Sequence, residues 1–121
     1  MKNQKHILVC DDEEGIRESL RLILEDHYRL SFANDGMQCL DFLKQSPDVD
    51  LIFLDIKMPQ VNGLDILKQI IKMQPDAKVV IVSGYKSVET ASEASKGGAS
   101  DYITKPFEKK EILALAKKLA C

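Results

Sequence analysis

Ile7-Leu8-Val9-Cys10-Asp11-Asp12-Glu13, residues 7–13, sets a short apolar run directly against three acids. Four consecutive apolar residues, with β-branched Ile7 and Val9 among them, suit a strand buried on both faces, because a strand with one solvated face would alternate. The next apolar positions, Ile16, Leu20, Ile23 and Leu24, fall on one face of a helix. Residues 7–24 therefore read as a strand, an acidic turn and a helix, with the polar residues gathered at the strand's carboxyl end.

The same unit recurs along the chain. Leu30 to Ala33 is a weak second strand, followed by Met37, Leu40 and Leu43 on a second helix. Leu51-Ile52-Phe53-Leu54 is a third strand, and Leu64, Leu67 and Ile71 mark the helix after it. Val79-Val80-Ile81-Val82 is a fourth strand bounded by Gly84, and Val88 and Ala91 begin a weakly apolar helix. Tyr102-Ile103 is a short fifth strand, and Ile112, Leu115, Ala116 and Leu119 form the apolar face of a last helix. Five such units predict an α/β fold: one doubly wound, five-stranded parallel sheet, flavodoxin-like, with helices on both faces. No linker or repeat interrupts residues 1–121, which read as one domain, as expected of 121 residues.

Charged residues make up 30% of the chain and the formal net charge is -2, which speaks against disorder and against a basic nucleic-acid surface. Cys10, Cys39 and Cys121 show neither disulfide nor zinc spacing and read as reduced thiols. The N-terminal apolar run is too short for a secretory signal, so a cytoplasmic location with no membrane contact is expected.

In an open parallel sheet the functional groups gather at the carboxyl ends of the strands, where strand order reverses. Those ends carry Asp11-Asp12-Glu13, Asp55, Ser83 and Lys105-Pro106. With strand order 2-1-3-4-5, Asp11, Asp12 and Asp55 meet, and three carboxylates in a small space need a counter-charge. A hard divalent cation on oxygen ligands suits them, magnesium better than zinc. A carboxylate can attack phosphorus when positioned and neutralised, roles open to magnesium, Lys105 and the Ser83 hydroxyl.

Each piece taken singly has a plainer explanation. Acids at residues 11–13 could cap the first helix, Asp55 could be a turn residue, and Lys105 a solvated loop lysine. Tyr102 could be a static half-buried ring, the lysines of the last helix a solvated face, and His6 and His27 have no ligand partners and are assigned no role. Only the constellation favours chemistry.

That constellation resembles the response-regulator receiver family of two-component signalling: Asp11-Asp12, then Asp55 with Met58-Pro59 and Gly63, then Ser83-Gly84, then Lys105-Pro106-Phe107. The resemblance implies that Asp55 accepts a phosphoryl group from a sensor histidine kinase. It implies a magnesium ion held by Asp12, Asp55 and the backbone carbonyl of Lys57, with Asp11 acting mostly through water. Ser83 and Lys105 would contact phosphoryl oxygens, the Lys105-Pro106 bond would be cis, and Tyr102 would be the switch aromatic. The fourth helix, fifth strand and fifth helix would repack on phosphorylation, control an output domain or partner protein, and support a phosphorylation-dependent homodimer. The sparse apolar face of residues 87–96, little more than Val88, Ala91 and Ala94, suits an element that opens at low cost.

Lys57 and Tyr85 occupy positions that tune hydrolysis in the family, and neither orients water well, so slow intrinsic dephosphorylation is expected. The stretch 83–107, with Glu89-Thr90-Ala91 and Gly98-Ala99-Ser100-Asp101-Tyr102, is most similar to receivers that precede AAA+ enhancer-binding transcriptional activators. A cofactor-carrying flavodoxin would need a Gly/Ser/Thr-rich loop where Asp11-Asp12-Glu13 stands, and an aspartyl phosphohydrolase would place its nucleophile after the first strand with a second acid two residues later, whereas the acids there are adjacent. A docking scaffold without phosphorylation is the remaining rival, opposed by the intact set Asp11, Asp12, Asp55, Ser83 and Lys105.

Overall fold

The structure, a computed structural model, describes residues 4–46, 48–56, 62–84 and 88–120, with the side chains of residues 88–90 outside that description. Strand and helix alternate as β1 (His6–Cys10), α1 (Glu14–Leu24), β2 (Arg29–Ala33), α2 (Gly36–Gln45), β3 (Leu51–Leu54), α3 (Gly63–Met73), β4 (Lys78–Ser83), α4 (Val88–Lys96), β5 (Asp101–Thr104) and α5 (Lys109–Leu119). The strands form one parallel sheet in the order β2-β1-β3-β4-β5, as expected.

The pleat explains why the inner strands are apolar throughout. Leu8, Cys10, Ile52, Leu54, Val79 and Ile81 face one layer, which contains Cys39, Leu40 and Leu43 of α2 and Ile66, Leu67 and Ile70 of α3. Their neighbours Ile7, Val9, Leu51, Phe53, Val80 and Val82 face the other, with Leu20 and Leu24 of α1 and Ile112 and Ala116 of α5. Every residue of β1 and β3 is buried. Full burial of one large aliphatic side chain stabilises by roughly 1.5–3 kcal/mol, so these paired layers supply the main driving force for folding.

Departures from the expected pattern occur at the sheet's edge and in the second helix. β2 is an edge strand whose only buried residue is Ala33, which accounts for its weak apolar signal. On α2, Met37 is 58% exposed and the buried stripe is Gly36, Cys39, Leu40 and Leu43. Asp35 caps that helix by accepting the Gln38 N–H at 2.8 Å, and the face bearing Cys39, Leu40 and Leu43 packs on the sheet, which leaves Met37 outward. Helix α4 carries Ala94 as a fully buried residue and Ala91 as a half-buried one, in keeping with its sparse apolar face.

His6 is a satisfied core histidine. Its Nδ1 lies 2.8 Å from the Arg29 guanidinium and 3.4 Å from the Asp48 carboxylate, and its Nε2 lies 2.7 Å from the Ser31 hydroxyl. Arg29 also pairs with Asp48, whose carboxyl it holds below the usual carboxylate range. Cys10 and Cys39 are free, buried and in contact, and burial first, then the neighbouring thiol, pushes the Cys10 pKa well up. Such thiols are inert packing groups. Cys121 lies outside the described residues. Among the described residues no helix is long and apolar enough to cross a membrane.

Candidate functional site

Parallel pairing sets the ends of three inner strands side by side. Cys10 is in register with Leu54, and the Asp55 N–H donates to the Cys10 carbonyl at 2.9 Å, which places the residues after β1 and β3 together. Ser83 is in register with Thr104, and the Lys105 N–H donates to the Ser83 carbonyl at 2.8 Å. The backbone ladder thus carries Asp11, Asp55, Ser83 and Lys105 to one edge of the sheet.

Asp11 and Asp55 are 2% and 3% exposed, and Ser83 is fully buried, whereas Asp12 and Glu13 are exposed. Carboxylate oxygens of Asp11, Asp12, Glu13 and Asp55 all lie within 4.8 Å of one another. The Lys105 ammonium sits among them, 2.9 Å from Asp11 Oδ2, 2.9 Å from Glu13 Oε1 and 3.2 Å from Asp55 Oδ2. Buried carboxylates are rarely left unpaired, and here a single lysine serves several acids.

Burial opposes the charge on Lys105, but hydrogen bonds to Glu13 and Asp11 outweigh it and hold the lysine pKa above its ordinary value. Burial likewise pushes the Asp11 pKa up, against the Glu13 N–H and Lys105, which pull it down. The ionised cluster therefore carries excess negative charge. An all-oxygen donor set of this kind fits a hard divalent cation and has no soft ligand that would select zinc or copper.

The capping alternative is met only in part. Asp11 Oδ1 accepts the Glu13 N–H at 2.9 Å, but Glu13, the residue that precedes α1, makes no side-chain cap. Asp11 thus serves the turn with one oxygen and faces Lys105 with the other. Glu13 belongs to the cluster although the motif reading passed over it. Its signal was adjacency to Asp11-Asp12, which does not tell an inward carboxylate from a solvated one.

Tyr102 is half-buried against the α2–α3 side of the core. Beside it, between α4 and β5, lies a hollow of about 200 Å³ lined by Ala91, Ala94, Ser95, Ala99, Ser100, Asp101 and Tyr102. The Lys105-Pro106 peptide is cis, as expected. Lys57, the expected carbonyl ligand, and Tyr85, Met58 and Pro59 lie outside the described residues.

Charge crowding leads to a stability test. Without divalent cations, Asp11→Asn should raise the melting temperature, since burial first and then the neighbouring Asp55 carboxylate disfavour the ionised form of Asp11. The amide can still accept the Glu13 N–H, so the turn is kept. A calorimetric scan in chelator checks it, and a lower melting temperature would mean that the Asp11–Lys105 pair outweighs the repulsion.

The chain has clear relatives among known proteins. It is 42% identical over 120 residues to the alginate biosynthesis transcriptional regulatory protein AlgB of Pseudomonas syringae pv. tomato, covering 98% of this chain and 27% of that protein. The crystal structure of NtrX from Brucella abortus in complex with ADP superposes with a TM-score of 0.90 at 34% identity, covering 98% of this chain and 27% of that one. A response regulator from Burkholderia pseudomallei, solved with a phosphorylated aspartic acid, calcium ion and citrate, superposes at 0.80 with 32% identity over 91% of this chain and 65% of that one. This chain spans about a quarter of the length of AlgB and half of the related response regulator MprA of Mycobacterium avium. The likeness to receivers that precede longer transcriptional activators agrees with these regulators. The family model for the response regulator receiver domain matches residues 7–117, and the chain belongs to that family.

Proposed function

We propose that this chain, as one receiver unit over residues 1–121, takes a phosphoryl group from a sensor histidine kinase onto Asp55 and passes the signal on by a change of surface. One observation carries the proposal: Asp55 is 3% exposed yet lies 3.2 Å from the Lys105 ammonium and within 4.8 Å of three further acids. A buried carboxylate so placed is held in position, oriented by its backbone N–H contact with Cys10, and matched by the Lys105 cation.

Asp55 is the nucleophile that attacks phosphorus, the bond to the donor's leaving group breaks, and Lys105 neutralises an oxygen of the transferred group. Ser83, at the end of β4, donates its hydroxyl hydrogen to another. Asp11, Asp12 and Asp55, with the Lys57 carbonyl, would hold magnesium, which supplies charge neutralisation for the transferred group when bound. The phosphorylated aspartate and calcium ion named for the Burkholderia relative support this assignment. The chain catalyses no reaction beyond its own phosphorylation and dephosphorylation, the latter slow.

Movement of Ser83 towards the phosphoryl group would leave room for Tyr102 to turn inward and repack α4, β5 and α5. The half-buried ring of Tyr102, on the strand next to Ser83, supports that role. The altered face would control an output domain or a downstream partner, in transcription regulation as in the named relatives, with homodimerisation on phosphorylation. This domain itself would contact neither nucleic acid nor membrane, and would act in the cytoplasm.

Incubation with acetyl phosphate should add one phosphoryl group by intact mass in magnesium buffer and none in excess chelator. Equal uptake in both would remove the metal from the proposal, and no uptake in either would leave an unphosphorylated docking scaffold.

A further inference from the structure

We infer that Glu13 is a positioning residue that holds Lys105 in its resting place and competes with the incoming phosphoryl group for that ammonium. The inference rests on the phospho-acceptor role proposed for Asp55. A lysine ammonium has three N–H donors, and here three carboxylates surround it: Asp11 and Glu13 at 2.9 Å each, Asp55 at 3.2 Å. All of its donors are engaged before any phosphoryl group arrives. The two shorter contacts go to the acids of the β1–α1 turn, so the lysine is drawn towards that turn and makes its longest contact with the nucleophile.

A phosphoryl oxygen on Asp55 can gain a hydrogen bond from Lys105 only if one of these contacts is released. The side chains of Asp11 and Asp55 are each 3% exposed, and stripping a buried carboxylate of its cation is costly. Glu13 is 61% exposed, and its carboxylate exchanges the ammonium for water at little cost. The Glu13 contact is therefore the one released, and its strength adds to the free energy needed to form the phosphorylated state. Glu13 touches neither the reacting atoms nor the donor; it acts through the lysine.

The experiment measures affinity for beryllofluoride, used as the phosphoryl mimic in saturating magnesium, by titration of backbone amide resonances. The wild-type chain is compared with Glu13→Gln, Lys105→Ala and the double variant. Glu13→Gln should bind about two- to fivefold tighter, the range set by an exposed ion pair. The gain should vanish in the Lys105→Ala background, read at higher ligand concentration. In the ligand-free protein, the Lys105 Cε–H resonances should shift on Glu13→Gln, a readout that needs no binding at all.

An equal gain with and without Lys105 would overturn the inference, because it would show that Glu13 acts only through its long-range charge. Unchanged affinity or unmoved Lys105 resonances in Glu13→Gln would overturn it as well. Absence of any beryllofluoride response in the wild-type chain would instead sink the role of Asp55 and this inference with it, so the two failures are distinguishable.

Discussion

Asp55→Asn should take up no measurable phosphoryl group from acetyl phosphate in magnesium buffer while keeping the fold. The amide matches the carboxylate in shape but lacks the anionic oxygen that would form the bond to phosphorus. Structural loss is small because the backbone contact from Asp55 N–H to the Cys10 carbonyl is independent of the side chain. Intact mass in parallel with a thermal scan separates the two effects. Persistent uptake of one group in Asp55→Asn, with an unchanged melting temperature, would move the acceptor to another residue, Asp12 first among them.

Gly63→Ala is expected to destabilise the fold strongly. A Cβ at Gly63 would stand 2.2 Å from the Ile56 Cα and 2.5 Å from its carbonyl oxygen. Both are backbone atoms, so no rotamer change relieves the clash; either the start of α3 or the segment after Asp55 must shift. Overpacking of this kind costs about 1–3 kcal/mol and here belongs at or above the upper end. In a domain of this size that lowers the melting temperature by roughly 10 °C or more. Gly15→Ala is the matched control, because nothing lies within 4 Å of its added Cβ and alanine is the better helix former there. A fall of less than about 2 °C for Gly63→Ala would show that α3 can slide without loss, against the usual cost of overpacking. Because Ile56 follows Asp55 directly, a shifted segment should also slow phosphoryl uptake in whatever fraction stays folded.

The same contact explains a motif that sequence alone leaves unaccounted for. Gly63 stands eight positions after Asp55 in the receiver pattern, yet spacing does not say why a glycine is required. The close approach of α3 to the strand end does. A helix that begins against the backbone behind the nucleophile leaves no volume for a side chain, and the Asn62 cap, accepting the Leu64 N–H at 2.9 Å, holds the helix start in that place.

What the sequence by itself determined is the alternation of strands and helices, the doubly wound sheet and the positions of Asp11, Asp12, Asp55, Ser83 and Lys105 at the strand ends. These follow from local chemistry: runs such as Leu51-Ile52-Phe53-Leu54 are apolar on both pleat faces, and polar residues begin where such runs stop. Only the tertiary structure decided which side chains turn inward. Met37 carries the same hydrophobic label as Leu40 but faces solvent, because the face of α2 that packs on the sheet is the one bearing Cys39, Leu40 and Leu43. Glu13 carries the same charge as Asp12 yet is the one drawn onto Lys105, a residue 92 positions away in the chain. Helix phase and a contact of that sequence separation depend on how the strands are paired and packed, and pairing is a property of the whole sheet that no local stretch encodes.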